Sequence, residues 1–198
     1  MNFSAPPECL LIDGLEYPID TDFRRWVEFY RISKKGGDLE EFFNSMGLPF
    51  SKSAADAACD FFVGPLMYGS GGNSNSGTQT FDFDVDAEAI YSAFYGAFRI
   101  DLTVEQIHWW KFMALFRSLP QDCEMCRIMH YRAVKIKDVP KDQRKFYADM
   151  KARYSLADKS NITLKQRNED MKRRVDEAYR KAESRMSEMR SSEQPSMD

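Results

Sequence analysis

A chain of 198 residues, 43% hydrophobic and 30% charged, is long enough for one domain with an appendage or for two small domains, and it can fill a core. It has no apolar run that could cross a bilayer, and its start, MNFSAPPE, lacks the basic-then-apolar plan of a secretory signal. Its four scattered cysteines (Cys9, Cys59, Cys123, Cys126) make no disulfide framework, so a cytoplasmic protein with free thiols is expected. Charge is uneven: residues 1–140 carry 13 Lys/Arg against 20 Asp/Glu, whereas residues 141–190 carry 15 against 9, an acidic body followed by a basic arm.

The first predicted element is a hairpin. Cys9–Ile12 is a short apolar run, Asp13-Gly14 is a strong turn signal, and Leu15–Ile19 returns, with Pro18 confining that strand to an edge. Asp20 or Thr21 should cap a helix whose Phe23, Trp26, Val27 and Tyr30 share one face. Asp38 to Glu41 resembles a capping box and opens a short helix carrying Phe42, Phe43 and Met46. Ser53 should cap a third helix, which Gly64-Pro65 breaks or kinks. Residues 69–80 read as a flexible loop by composition.

Three further helices are expected. The first, Val85–Phe98, carries Ile90, Tyr91, Phe94 and Phe98. The second, Thr103–Leu119, opens on an apparent capping box and ends before Pro120. The third runs from Asp122 to about Val134. Phe94 and Trp110 are expected in the core. Trp109 and Trp110 lie about 100° apart on one helix, so one should be less buried than the other. Beyond Pro140 come the segment KDQRKFYADMKARYSL and then a long charged helix, which the polar stretch Asp158–Asn161 should detach from the body. Residues 158–190 are thus expected as an extended helix and 191–198 as a frayed tail, after a helical domain over 1–157. The fold class is mainly α: a compact helical domain with a small N-terminal β-hairpin and an extended C-terminal helix.

The chemistry-bearing residues give no catalytic constellation. His108 and His130 are the only histidines, no nucleophile elbow is present, and the Gly-rich stretch lacks the strand before it and the lysine after it that a phosphate cradle needs. Cys123-x-x-Cys126 with His130 shares one helical face, but a zinc site needs a fourth ligand and there is no second Cys pair. Buried core thiols are the simpler reading. Asp82, Asp84 and Asp86 alternate like the start of a calcium loop, yet Ala87 stands where Gly is needed and Ala93 where a bidentate Glu is needed. Asp84 or Asp86 as a helix cap fits better. No cofactor is expected.

The basic arm interleaves its charges, with Glu169–Arg173, Asp170–Arg174, Asp176–Arg180 and Glu177–Lys181 four apart. This weighs against a phosphate-binding face for nucleic acid. Leu164, Met171, Val175, Ala178, Ala182 and Met189 make a thin heptad-like seam, too weak for a solitary coiled coil. Leu164, Met171, Val175, Ala178 and Ala182 are therefore the expected partner-binding residues.

Residues 81–120 resemble the tailed-phage family named for gene product fifteen of a temperate siphophage. The matching residues are Phe81, Asp82, Phe83 and Asp86; Ile90, Tyr91 and Phe94; Ile100, Asp101 and Leu102; Trp109, Trp110 and Phe112; and Leu119. Ile12-Asp13-Gly14, Tyr17-Pro18-Ile19, Phe23-Arg24, Tyr131-Arg132 and the segment KFYADMKARYSL are similar too, so the resemblance spans about residues 9–157. It implies a tail assembly chaperone in the host cell cytoplasm, one that keeps the tape-measure protein soluble until tail tube subunits replace it, with a homo-oligomer among the forms expected. It implies no catalytic residues. A structural tail component retained in the virion is the alternative, and nucleic-acid binding through the arm is a third.

Overall fold

The computed structural model describes residues 5–35, 37–67, 79–156 and 164–192; the side chains of 66–67, 164–168 and 190–192 are not among those described. Most of it is helical, with one two-stranded antiparallel sheet, as the sequence led us to expect. The described residues fall into two compact units. One draws on Met1–Tyr68, His108–Trp110 and Asn168–Asp198, the other on Gly69–Ile107 and Lys111–Arg167.

The first unit begins with β1 (Cys9–Ile12) and β2 (Leu15–Pro18), paired from Cys9↔Pro18 to Ile12↔Leu15. Asp13 (φ 49°) and Gly14 (φ 82°) are both left-handed, the requirement of a two-residue hairpin turn that follows the strand twist. Leu10 and Ile12 are buried and β1 packs on α3 (Lys52–Met67). The helix α1 (Phe23–Lys35) is capped by Asp22, whose carboxylate accepts the Arg24 N–H at 2.9 Å, and not by Asp20 or Thr21. Asp38 caps α2 (Leu39–Ser45) through the Glu41 N–H, as expected from its spacing. At α3 the Ser51 hydroxyl caps Ala54 N–H, while Ser53 instead donates to Asp13. Trp26, Phe29, Phe61, Phe62 and Trp109 form the ring-rich core of this unit, with Trp26–Phe61 centroids 4.2 Å apart and Phe62–Trp109 stacked at 4.8 Å.

Pro65 neither breaks nor ends α3, which continues to Met67. Lacking an N–H, Pro65 leaves the Phe61 carbonyl without its helical donor. The Trp110 indole donates to that oxygen at 3.0 Å, and the Trp109 indole donates to the next carbonyl, Phe62, at 2.9 Å. Gly64 makes the approach possible, because a Cβ there would stand 2.6 Å from the Trp110 ring. Of the two tryptophans Trp109 is the fully buried one, and Trp110 is half-buried.

The long helix α8 (Leu164–Ser192) belongs to this unit from Asn168 on, which corrects the expectation of an arm detached after residue 157. Lys172 reaches Asp60 at 2.5 Å and Asp176 reaches Lys52 at 2.5 Å, so α8 runs antiparallel to α3, and Tyr179 lies against Phe50 with centroids 4.9 Å apart. The polar stretch 158–161 and nearly all of the loop 69–80 lie outside the described residues. So does the expected tail from residue 193, whereas Ser191 and Ser192 still continue α8.

The second unit contains α4 (Ala87–Phe98), most of α5 (Trp109–Arg117), α6 (Glu124–Ala133), a 3-10 turn (Ile136–Asp138) and α7 (Arg144–Arg153). The helix predicted from Thr103 does not start there. Asp101 accepts from the Thr103 N–H and hydroxyl and takes Glu105 as its own acceptor, which closes a single turn, and α5 begins only at Trp109. Phe94 is fully buried, stacked on Phe112 at 4.8 Å, and Phe81, Phe83 and Phe116 extend the same cluster.

Candidate functional site

The expected partner-binding residues do not form an open surface. Met171, Val175 and Ala182 are buried, Val175 to 1% exposure, and Ala178 is half-buried. Leu164 opens α8, but its side chain lies outside the described residues. The seam is covered within the first unit, where α3 carries Cys59 and Val63, both buried, on the arc that also bears Lys52, Asp56 and Asp60. Three of the six α8 cations whose side chains are described are spent on carboxylates: Arg173 on Asp170 and Glu177, Arg174 on Asp170, and Lys172 on Asp60; Asp176 and Glu177 pair with Lys52 and Arg173 and not with the expected Arg180 and Lys181.

The residues weighed as metal ligands have other work. Cys123 Sγ caps α6 by accepting the Cys126 N–H, and the Cys126 thiol donates to the Leu119 carbonyl. Burial, together with the adjacent Cys123 sulfur, pushes the Cys126 thiol up to about 11, and burial pushes Cys59 up to about 12. His130 packs edge-on to Tyr147. His108 caps α5, its Nδ1 accepting the Trp110 N–H while Nε2 donates to the Pro7 carbonyl. Among the described residues no group of three or more His, Cys, Asp and Glu could hold a metal ion.

The three alternating aspartates divide their roles in a way the spacing alone did not disclose. Asp82, and not Asp84 or Asp86, closes the turn before α4 by accepting the N–H groups of Asp84 and Val85. Asp86 holds Arg132 in a two-pronged ion pair with contacts of 2.6 and 2.8 Å, both side chains 4% exposed. Arg132 also donates to the carbonyls of Thr80 and Tyr154, so one guanidinium ties the approach to α4, the body of α6 and the end of α7 together. This pair forms the floor of a groove of about 440 Å³ lined by Val85, Glu88, Ser92, Glu124, Ile128 and Tyr154.

A partly open aromatic cluster lies on α6 and α7. No residue of α7 is buried, although it carries Phe146, Tyr147 and Met150. Tyr131 of α6 is the hub of the cluster: Phe146 and Tyr147 meet it edge-on, with centroids at 6.1 and 6.0 Å, and Tyr154 stacks on it at 5.9 Å. Phe146 remains 51% exposed. The periodicity of Phe146, Met150 and Tyr154 marks this face in the sequence, but only the fold shows that no third layer of described residues covers it.

These features define a mainly helical protein with a partly exposed aromatic platform on α6 and α7 and a buried Asp–Arg clamp. The model of the family described as Bacteriophage Gp15 protein matches residues 63–156, which contain the clamp, the His-Trp-Trp block and the whole platform. The match covers just under half of the chain; the hairpin, α1, α2, most of α3 and α8 lie outside it. No curated protein and no solved structure matches this chain. No helix among the described residues is long and apolar enough to cross a membrane.

Proposed function

We propose that this protein is a phage tail assembly chaperone, acting in the host cytoplasm, that binds the tape-measure protein and keeps it soluble while the tail forms. The observation that carries the reading is the bare aromatic face of α7 within the family-matched segment. A ten-residue helix with no buried residue, which leaves Phe146 half-exposed and Tyr147 and Met150 only partly covered, gains from a partner that covers them. The tape-measure protein is put forward as that partner because of the likeness to the gene product fifteen family. The reading gives the protein no catalytic step, no cofactor and no nucleic-acid substrate.

The test is co-expression of the chain with the tape-measure protein of the same phage. The tape-measure protein should move from the insoluble to the soluble fraction and co-purify with the chain. Mass spectrometry of purified virions should find the chain absent. A tape-measure protein that stays insoluble, or a chain present in the virion at the copy number of a tail component, would overturn the proposal.

A further inference from the structure

The platform has an electrostatic frame that says what chemistry it takes. Residues 135–153 carry seven cations, Lys135, Lys137, Lys141, Arg144, Lys145, Lys151 and Arg153, against Asp138, Asp142 and Asp149. Arg144 and Lys151 donate to backbone carbonyls. Lys135, Lys137, Lys141, Lys145 and Arg153 are exposed and have no carboxylate partner among the described residues. Arg153 sits over the Tyr154 ring, 5.6 Å from its centroid. On a helical projection Phe146, Met150, Tyr154 and Tyr147 fill an arc of about 100°, with Arg153 at one edge and Lys151 and Arg144 at the other. An apolar arc edged by cations is the complement of an apolar stripe edged by carboxylates.

We infer that the α6–α7 face is a docking site for an acidic amphipathic helix of the partner protein. Its apolar stripe lies on Phe146, Tyr147 and Met150, and its flanking Glu and Asp meet Arg153 on one side and Lys151 and Arg144 on the other. The inference rests on the proposed function only for the partner's identity; the chemistry of the docked segment comes from the platform. A single-stranded nucleic acid is the poorer fit. It binds by stacking bases on open ring faces, whereas Tyr131 and Tyr154 already stack on each other, 8° from parallel, and three aspartates interrupt the cations.

The test uses the full chain and three fluorescent probes: a helical peptide of about 20 residues with Leu at i, i+4 and i+7 and Glu on both flanks, the same peptide with Lys in place of Glu, and an oligothymidylate of similar length. The acidic peptide should bind, and the other two should not. Phe146→Ala removes a half-exposed ring and should weaken binding by about tenfold or more, the loss expected for one central anchor. Arg153→Glu, which reverses the charge at the edge of the arc, should weaken it to a similar degree, and affinity should fall as salt rises. Circular dichroism verifies that the variants fold, and a third variant, Phe146→Leu, should retain most of the affinity. Equal binding of the acidic peptide by wild type and Phe146→Ala, or tighter binding of the oligonucleotide, overturns the inference. The tape-measure assay separates the two proposals: if Phe146→Ala still solubilises the tape-measure protein as wild type does, the chaperone reading stands and this docking face falls. If the acidic peptide docks as described while the tape-measure protein stays insoluble, the face stands and the chaperone reading falls.

Discussion

Asp86→Ala should be among the most damaging single substitutions in the second unit. The Asp86 carboxylate accepts both Arg132 Nη atoms and the Asp82 N–H, the last at 2.8 Å. Its removal leaves a guanidinium that is 4% exposed with only the Thr80 and Tyr154 carbonyls as partners. An uncompensated buried charge of this kind costs about 3–5 kcal/mol. Replacing both partners, Asp86→Leu with Arg132→Met, removes the stranded charge, and the adjacent groove lets water reach the Tyr154 side, so the double variant should lose less than the single one. By contrast, the exposed pair Arg173–Glu177 is of the kind worth at most about 1 kcal/mol. All three tryptophans, Trp26, Trp109 and Trp110, belong to the first unit, so fluorescence does not follow the unit that is perturbed. Hydrogen exchange in urea, read by mass spectrometry on peptides from α4 and α6, does. Wild-type protection of those peptides in Asp86→Ala, a loss under about 1 kcal/mol, would show that the pair is not the clamp described.

Three other perturbations address separate parts of the fold. Gly64→Ala would ordinarily help a helix, but its Cβ would meet Trp110 at 2.6 Å; a net loss of about 1–2 kcal/mol and a red shift of tryptophan emission are expected, and an unchanged melting temperature would refute the close approach. A chain ending at residue 163 removes the helix that covers its own seam, so the first unit should melt lower by tryptophan fluorescence, and Val175→Asp should reproduce much of that loss by placing a charge in the site; equal midpoints would restore the separate arm. At pH 8 Cys59, pushed up to about 12, is thiolate on the order of once in ten thousand molecules, so iodoacetamide should label exposed Cys9 first and Cys59 only after unfolding, as peptide mapping over time would report.

The sequence made some local structure readable because a single residue could satisfy it. Asp13-Gly14 is the only pair near the hairpin suited to two left-handed residues, and Asp38 is the only side chain placed to cap α2. Where several candidates stood together, tertiary partners chose among them. Ser51 capped α3 because Ser53 was taken by Asp13, forty residues away, and Asp22 capped α1 while Asp20 accepted the Asp22 N–H. Thr103 offers the same spacing as Asp38, yet its hydroxyl is taken by Asp101 and the helix starts six residues later. The buried Asp86–Arg132 pair spans 46 residues, so no local pattern announced it, although both ends stood among the residues that carried the family resemblance.

Assignment of the partner surface turned on what periodicity measures. A seam of Met171, Val175, Ala178 and Ala182 and an arc of Phe146, Tyr147 and Met150 are both apolar stripes, and a stripe reports apolar area without naming what covers it. Past Met171 the α8 seam is made of small side chains, Val175, Ala178 and Ala182, which allow a helix to lie close against the alanine-rich α3, and with Lys172 and Asp176 reaching Asp60 and Lys52 the chain covers that seam itself. The α7 arc is made of large rings, which need a wider groove and a second layer, and the described residues supply only one layer, centred on Tyr131. The stripe whose area is cheap to cover is therefore closed within its own unit. The one left open presents more area per residue, and its edging cations favour an acidic segment as the layer that covers it.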